Sequence, residues 1–144
     1  MTKQESILDY LRSLELPAKD FAVFGSGPMY AYGLKDLDND LDLIARGEAW
    51  ERALRLGEVD GDAFHGLGKV ELADGKIEIT NYWFDDLQPG VWDINELIDN
   101  AVMIDGIKYV SLEDVLKWKK LFGRPKDIAH AKLIEAYSQP SLEY

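Results

Sequence analysis

The residues in this chain best suited to chemistry are carboxylates placed two apart. Asp40 and Asp42 flank Leu41 in the run Asp40-Leu41-Asp42-Leu43-Ile44-Ala45. On a strand, such neighbours project from one face with their backbones about 6.5–7 Å apart. Two hard oxygen ligands at that spacing converge on one divalent ion or bridge two. A third acid, Glu78, lies in Lys76-Ile77-Glu78-Ile79-Thr80, which alternates in the same way. With the two strands adjacent, Asp40, Asp42 and Glu78 would form a three-carboxylate cage for Mg2+ or Mn2+. A two-metal site of this kind activates an attacking hydroxyl and neutralises a leaving pyrophosphate in an in-line displacement.

A second element suits phosphate. Gly25-Ser26-Gly27 follows the apolar run Phe21-Ala22-Val23-Phe24 and precedes Pro28, a residue favoured in a helix's first turn. Glycines let backbone amides approach phosphate oxygens, the following helix N-terminus favours an anion, and the Ser26 hydroxyl adds a donor. A dinucleotide fingerprint is excluded because its third glycine would fall at Tyr30, and the chain has no Gly-Lys-Ser/Thr loop. A calcium loop starting at Asp36 is excluded as well, since Leu41 and Gly47 occupy the positions that need Gly and Glu.

Plainer readings compete with these. Asp40 and Asp42 would also suit a solvated acidic edge strand, and Glu78 would suit a cross-strand ion pair with Lys69 or Lys76. Lys117, Lys119, Lys120, Arg124 and Lys126 give five positive charges in ten residues with no acid among them. They read either as a dock for a triphosphate or acceptor, or as cations drawn to a helix C-terminus by its dipole. His65 and His130, the only histidines, read as structural or exposed, and Trp50, Trp83, Trp92 and Trp118 as packing residues.

The elements that must position the acids follow from periodicity. Ile7, Leu8, Leu11 and Leu14 predict a helix over 4–15, stopped by Pro17. Strands are expected at 21–24, 40–45, 69–72, 76–80, 102–104 and 107–110, and helices at 28–32 and 48–56. Asp74-Gly75 and Asp105-Gly106 are hairpin signals. Ser111-Leu112-Glu113-Asp114 reads as a capping box opening a helix. Gly123 and Pro125 end that helix and begin another, running to about Tyr137. The sum is one α/β (α+β) domain over 1–144, with a core at about 21–110 and C-terminal helices at about 111–137. Its mixed, twisted sheet is expected to have four to six strands with helices over one face.

Bulk properties narrow the function. A length of 144 residues suits one domain. A net charge of −11 works against gripping extended nucleic acid, whereas a small substrate held through metal ions is compatible with it. With no cysteine, disulfides, thiolate metal sites and Cys nucleophiles are excluded. No apolar run approaches the roughly 18 residues of a membrane span, and the N-terminus lacks a signal-peptide pattern, so the cytoplasm is the expected location.

The segment Phe24-Gly-Ser-Gly-Pro-Met-Tyr-Ala-Tyr-Gly-Leu-Lys-Asp-Leu-Asp-Asn-Asp-Leu-Asp-Leu-Ile44 resembles the signature of the nucleotidyltransferase (DNA polymerase beta-like) superfamily. Lys76-Ile-Glu-Ile-Thr80 resembles that superfamily's third-acid strand, and the tail from Val110 to Ala129 is similar to the C-terminal helices of small bacterial members. The resemblance covers about residues 21–135. It implies transfer of a nucleoside monophosphate from a nucleoside triphosphate to a hydroxyl acceptor, dependent on Mg2+ or Mn2+. Asp40, Asp42 and Glu78 would be the metal ligands, Gly25 and Ser26 the phosphate turn, and Lys119 and Arg124 further nucleotide contacts. The chain departs from the pattern at Lys35 (commonly Arg), Glu78 (commonly Asp) and His130 (often an acid). The alternative is a catalytically silent nucleotide-binding or regulatory module with a protein partner, such as a toxin–antitoxin or phage-defence component. A transferase modifying a cationic antibiotic is a third reading.

Overall fold

Phe21–Phe24 (β1) is apolar at every position, and all four residues are buried. A strand of that kind needs cover on both faces, and it receives it. The computed structural model describes residues 3–38, 40–60, 68–83 and 93–138. After helix α1 (Lys3–Ser13) and a 3-10 turn at Ala18–Asp20, the chain runs through β1, α2 (Gly27–Ala31), β2 (Leu41–Ala45) and α3 (Gly47–Leu56). It continues through β3 (Val59–Asp60), β4 (Lys69–Leu72), β5 (Ile77–Thr80) and α4 (Ile94–Asp99). The last elements are β6 (Val102–Ile104), β7 (Ile107–Tyr109), α5 (Leu112–Phe122) and α6 (Pro125–Ser138). Gly66, Leu67, His65 and Trp92 lie outside the described residues.

The strands form one mixed sheet ordered β3-β4-β5-β2-β1-β7-β6. β2 runs antiparallel to β1 and parallel to β5, and β1 runs parallel to β7. Hairpins complete the flanks, β4–β5 on one side and β6–β7 on the other. Both expected Asp-Gly turns form, with positive φ at Asp74 and Gly75 (56° and 82°) and at Asp105 and Gly106 (49° and 78°). At Asp105-Gly106 this is a two-residue turn between Ile104 and Ile107, whose backbone matches strand twist, whereas the β4–β5 loop has four residues and places Ala73 in the left-handed region as well (φ 54°).

Two apolar layers sandwich the sheet. On one face Val23, Leu41, Leu43, Val70, Ile77 and Ile79 pack against Leu8 and Leu11 of α1 and Ala49 and Ala53 of α3. On the other, Ala22, Phe24 and Ile44 pack against Met29, Leu97, Ile98, Val115 and Ile134, from α2, α4, α5 and α6. This corrects two expectations: the described sheet has seven strands, not four to six, and helices cover both faces. The physical reason for the second core is Ile44, which shares the face of Asp42 but is fully buried. The cover on that face is partial. Strands β5 and β4 present Glu78, Thr80, Glu71 and Lys69 there, so the apolar layer gives way to polar groups at Asp42.

The C-terminal helices follow their caps. The Ser111 Oγ accepts from the Asp114 amide at 3.2 Å, the capping-box bond expected from sequence. Gly123 closes α5 in the left-handed region, with φ at 64°. No helix among the described residues is long and apolar enough to cross a membrane.

Candidate metal centre

Asp42 stands directly beside Glu78 in the parallel register of β2 and β5. Two acids 36 positions apart in sequence thus become lateral neighbours on one sheet face. Asp40 joins them, and carboxylate oxygens of Asp40, Asp42 and Glu78 lie within 4.8 Å of one another. No other group of three metal-ligating side chains of this kind occurs among the described residues. The strand begins at Leu41 rather than Asp40, because pairing starts where the Leu41 amide donates to the Lys76 carbonyl at 2.7 Å. Asp40 therefore approaches the site from the bend before β2 rather than from the strand itself.

The electrostatics of this group are strained. The Asp42 carboxyl is pushed up to about 7, first by burial, then by the charges of Asp40 and Glu78 and a hydrogen bond with Glu78. Asp38 adds a smaller push in the same direction. Like charges crowded at the edge of an apolar layer disfavour full ionisation. A dication among them would remove that penalty.

Gly25 abuts the same group. Its φ is 63°, and a methyl group added there would lie 2.6 Å from Asp42 Oδ2. Glycine thus provides both the left-handed bend and the clearance the carboxylate occupies. Ser26 is buried, and its Oγ accepts from the Asp38 amide at 3.0 Å. By accepting there, the Ser26 hydroxyl oxygen ties down the segment leading into Asp40. The Gln4 Oε1 holds the same segment by accepting from the Leu37 amide at 2.6 Å.

A cavity of about 230 Å³ adjoins the acids, lined by Asp42, Lys69, Glu78, Thr80, Tyr82 and Trp83. Trp83 stacks on Phe24 with ring centres 4.3 Å apart, and Trp118 meets both rings edge-on. This aromatic cluster ends the second core at the cavity wall. A broad open groove lined by Gln4, Tyr10, Asp36, Asp38 and Lys76 reaches Asp40 from the opposite side.

No family model, curated protein or solved structure matches this chain.

The basic residues of the tail are mostly paired with acids of the two C-terminal helices. Lys119 is buried, with its Nζ 3.4 Å from Asp127 Oδ1 and over the Trp118 ring. Arg124 Nε donates to Asp127 Oδ2 at 2.6 Å, and its backbone amide donates to the same oxygen. Asp127 is fully buried, so the two cations face an internal anion. Lys117 pairs with Glu113 and Asp114, and Lys120 with Glu135. Burial, opposed by Asp127, lowers the Lys119 ammonium below its usual range. His130 is half-buried, and its Nδ1 has no hydrogen-bond partner among the described residues. Trp50, Trp83 and Trp118 pack against the cores, as expected.

Three residues matter more than the sequence reading allowed. Asp127 is one. Arg46 is another: it binds Asp20, the Lys19 carbonyl, Asn95 and Asp99, joining β2 to the 3-10 turn and α4. The third is Lys69, foreseen only as one of two ion-pair partners for Glu78. Its Nζ lies 3.6 Å from Glu78 Oε1 and 3.4 Å from Glu71 Oε1. Chiefly through the charge of Glu78, its ammonium form is held above the usual range.

Proposed function

We propose that this chain is a nucleotidyltransferase that moves a nucleoside monophosphate from a nucleoside triphosphate to a hydroxyl acceptor, with divalent metal held by Asp40, Asp42 and Glu78. One observation carries the reading: the neighbouring carboxylates of Asp40 and Asp42 and the distant one of Glu78 bring oxygens within 4.8 Å of one another. The donor set is all carboxylate oxygen, which suits Mg2+ or Mn2+. The elevated Asp42 carboxyl supports it, because an acid at about 7 beside two other acids marks negative charge awaiting a counter-ion. The resemblance in sequence order, from glycine turn to paired aspartates to a third acid, points the same way.

Each residue has a task in this reading. Asp40, Asp42 and Glu78 hold the metal, which when bound would neutralise phosphate charge and lower the barrier to attack by the acceptor hydroxyl. Gly25 leaves the Asp42 carboxylate its room beside the phosphate turn. Ser26 fixes the segment that carries Asp40. Phe24, Trp83 and Trp118 form an apolar wall beside the cavity that Asp42 and Glu78 line. The nucleotide roles of Lys119 and Arg124, implied by the resemblance, belong to this proposal. In the fold, both charges face Asp127.

Calorimetric titration with Mn2+ and with Mn2+ plus each of the four common nucleoside triphosphates tests the proposal. Wild type is expected to bind, and the Asp40→Asn, Asp42→Asn double variant to lose at least a hundredfold in affinity. Equal binding by the two proteins would remove the site. Metal–nucleotide binding with no pyrophosphate release across many acceptors would assign the chain to the silent regulatory module instead.

A further inference from the structure

Glu78 has carboxylate neighbours on both sides. In register, Asp42 of β2 pairs with Glu78 of β5, and Glu78 pairs with Glu71 of β4. Asp42, Glu78 and Glu71 therefore form a transverse row across three adjacent strands. Like charges directly opposed on neighbouring strands are destabilising. The row persists because Lys69, two residues before Glu71 on the same face, bridges the two glutamates at 3.6 and 3.4 Å. Lys69 also lines the 230 Å³ cavity that Asp42 and Glu78 share.

We propose that Lys69 is an internal counter-ion for Glu78 which a divalent metal must outcompete, and that this competition sets the metal affinity of the site. The inference rests on the metal-binding reading above. One ammonium cannot neutralise Glu78 and leave that carboxylate's full charge to a dication. An ammonium a few ångströms from the cage also repels an entering ion. Glu71 gives Lys69 a place to go: it is more exposed than Glu78 and already within ion-pair distance, so the lysine can shift wholly onto it as Glu78 turns to the metal. Lys69 is in this sense a positioning residue. It touches neither reacting atom, and it governs when the third ligand is free.

Partly exposed ion pairs of this type are modest, so removing the lysine is expected to tighten binding by about two- to fivefold. The experiment is Mn2+ titration by calorimetry at fixed low ionic strength on wild type, Lys69→Met and Lys132→Met. The last changes net charge equally at an exposed position on α6. Tighter binding by Lys69→Met than by both wild type and Lys132→Met supports the proposal; a lysine that merely braced the sheet would weaken binding on removal. If Lys69→Met binds no more tightly than Lys132→Met, or more weakly than wild type, the competition is overturned and the metal site stands. If none of the three binds Mn2+, the metal reading fails and this inference falls with it.

Discussion

The backbone of Gly25 and the carboxylate of Asp42 occupy adjoining space: a methyl group on Gly25 would sit 2.6 Å from Asp42 Oδ2. The bend after β1 and the acid on β2 are thus fitted to each other. Gly25→Ala is expected to lower stability, with about 1 kcal/mol from the left-handed backbone alone. It should also displace the Asp42 side chain. Thermal melting together with Mn2+ titration checks both effects, and unchanged values for both would show that the fit is not needed.

Asp42 predicts an inverted pH dependence. Its folded value of about 7 lies above the ordinary 3.8. Between those values the native protein retains a proton that the unfolded chain has released. Stability therefore falls as pH rises through that window, by the linkage between proton uptake and folding. Below the window both states are protonated and the penalty vanishes. Urea unfolding in chelator at pH 5, 6, 7 and 8 should find Asp42→Asn gaining on wild type as pH increases. A gap between the two proteins that stays constant with pH would contradict the assignment.

Asp127 makes a different prediction. Its fully buried carboxylate faces Lys119 and Arg124. Removing one partner of a buried pair leaves the other charge uncompensated, so Asp127→Ala should cost about 3–5 kcal/mol. Asp127→Asn, which keeps a hydrogen-bonding group, should cost less. Denaturant midpoints of the two variants settle the order.

Arg46 serves the end of β2 remote from the acids. Losing its bonds to Asp20, Asn95 and Asp99 should destabilise the fold by about 2 kcal/mol in Arg46→Ala, given the usual worth of charged hydrogen bonds. Metal affinity measured below the melting transition should be unchanged. A loss of affinity there would mean that the two ends of the strand are coupled.

Signals that depend on neighbouring residues were legible in the sequence. Asp74-Gly75 and Asp105-Gly106 declared their hairpins because Asp and Gly accept positive φ more readily than most residues. Ser111 declared its helix because its capping partner is three residues away. The spacing of Asp40 and Asp42 suggested convergence, and alternation around Glu78 suggested its face. Features settled by distant partners were not legible. Helix α4 has six residues and buries only Leu97 and Ile98, too little for a helical period to register. Strand β3 is two exposed residues that, among the described residues, pair only with β4. The pairing of Lys119 with Asp127 joins two helices and left no local signal. The apolar run at Phe21–Phe24 already carried the signal of a strand buried on both sides. The second helical layer followed from that run and from Ile44.

The side-by-side placement of β2 and β5 has a consequence for how the molecule acquires its pocket. A fragment stopping at Leu56 would contain Asp40, Asp42 and the glycine bend, yet no third acid. Only after the β4–β5 hairpin closes and docks along β2 does Glu78 arrive. In the proposed metal site, ion affinity would require that docking, and tight binding would report that the middle of the sheet is complete.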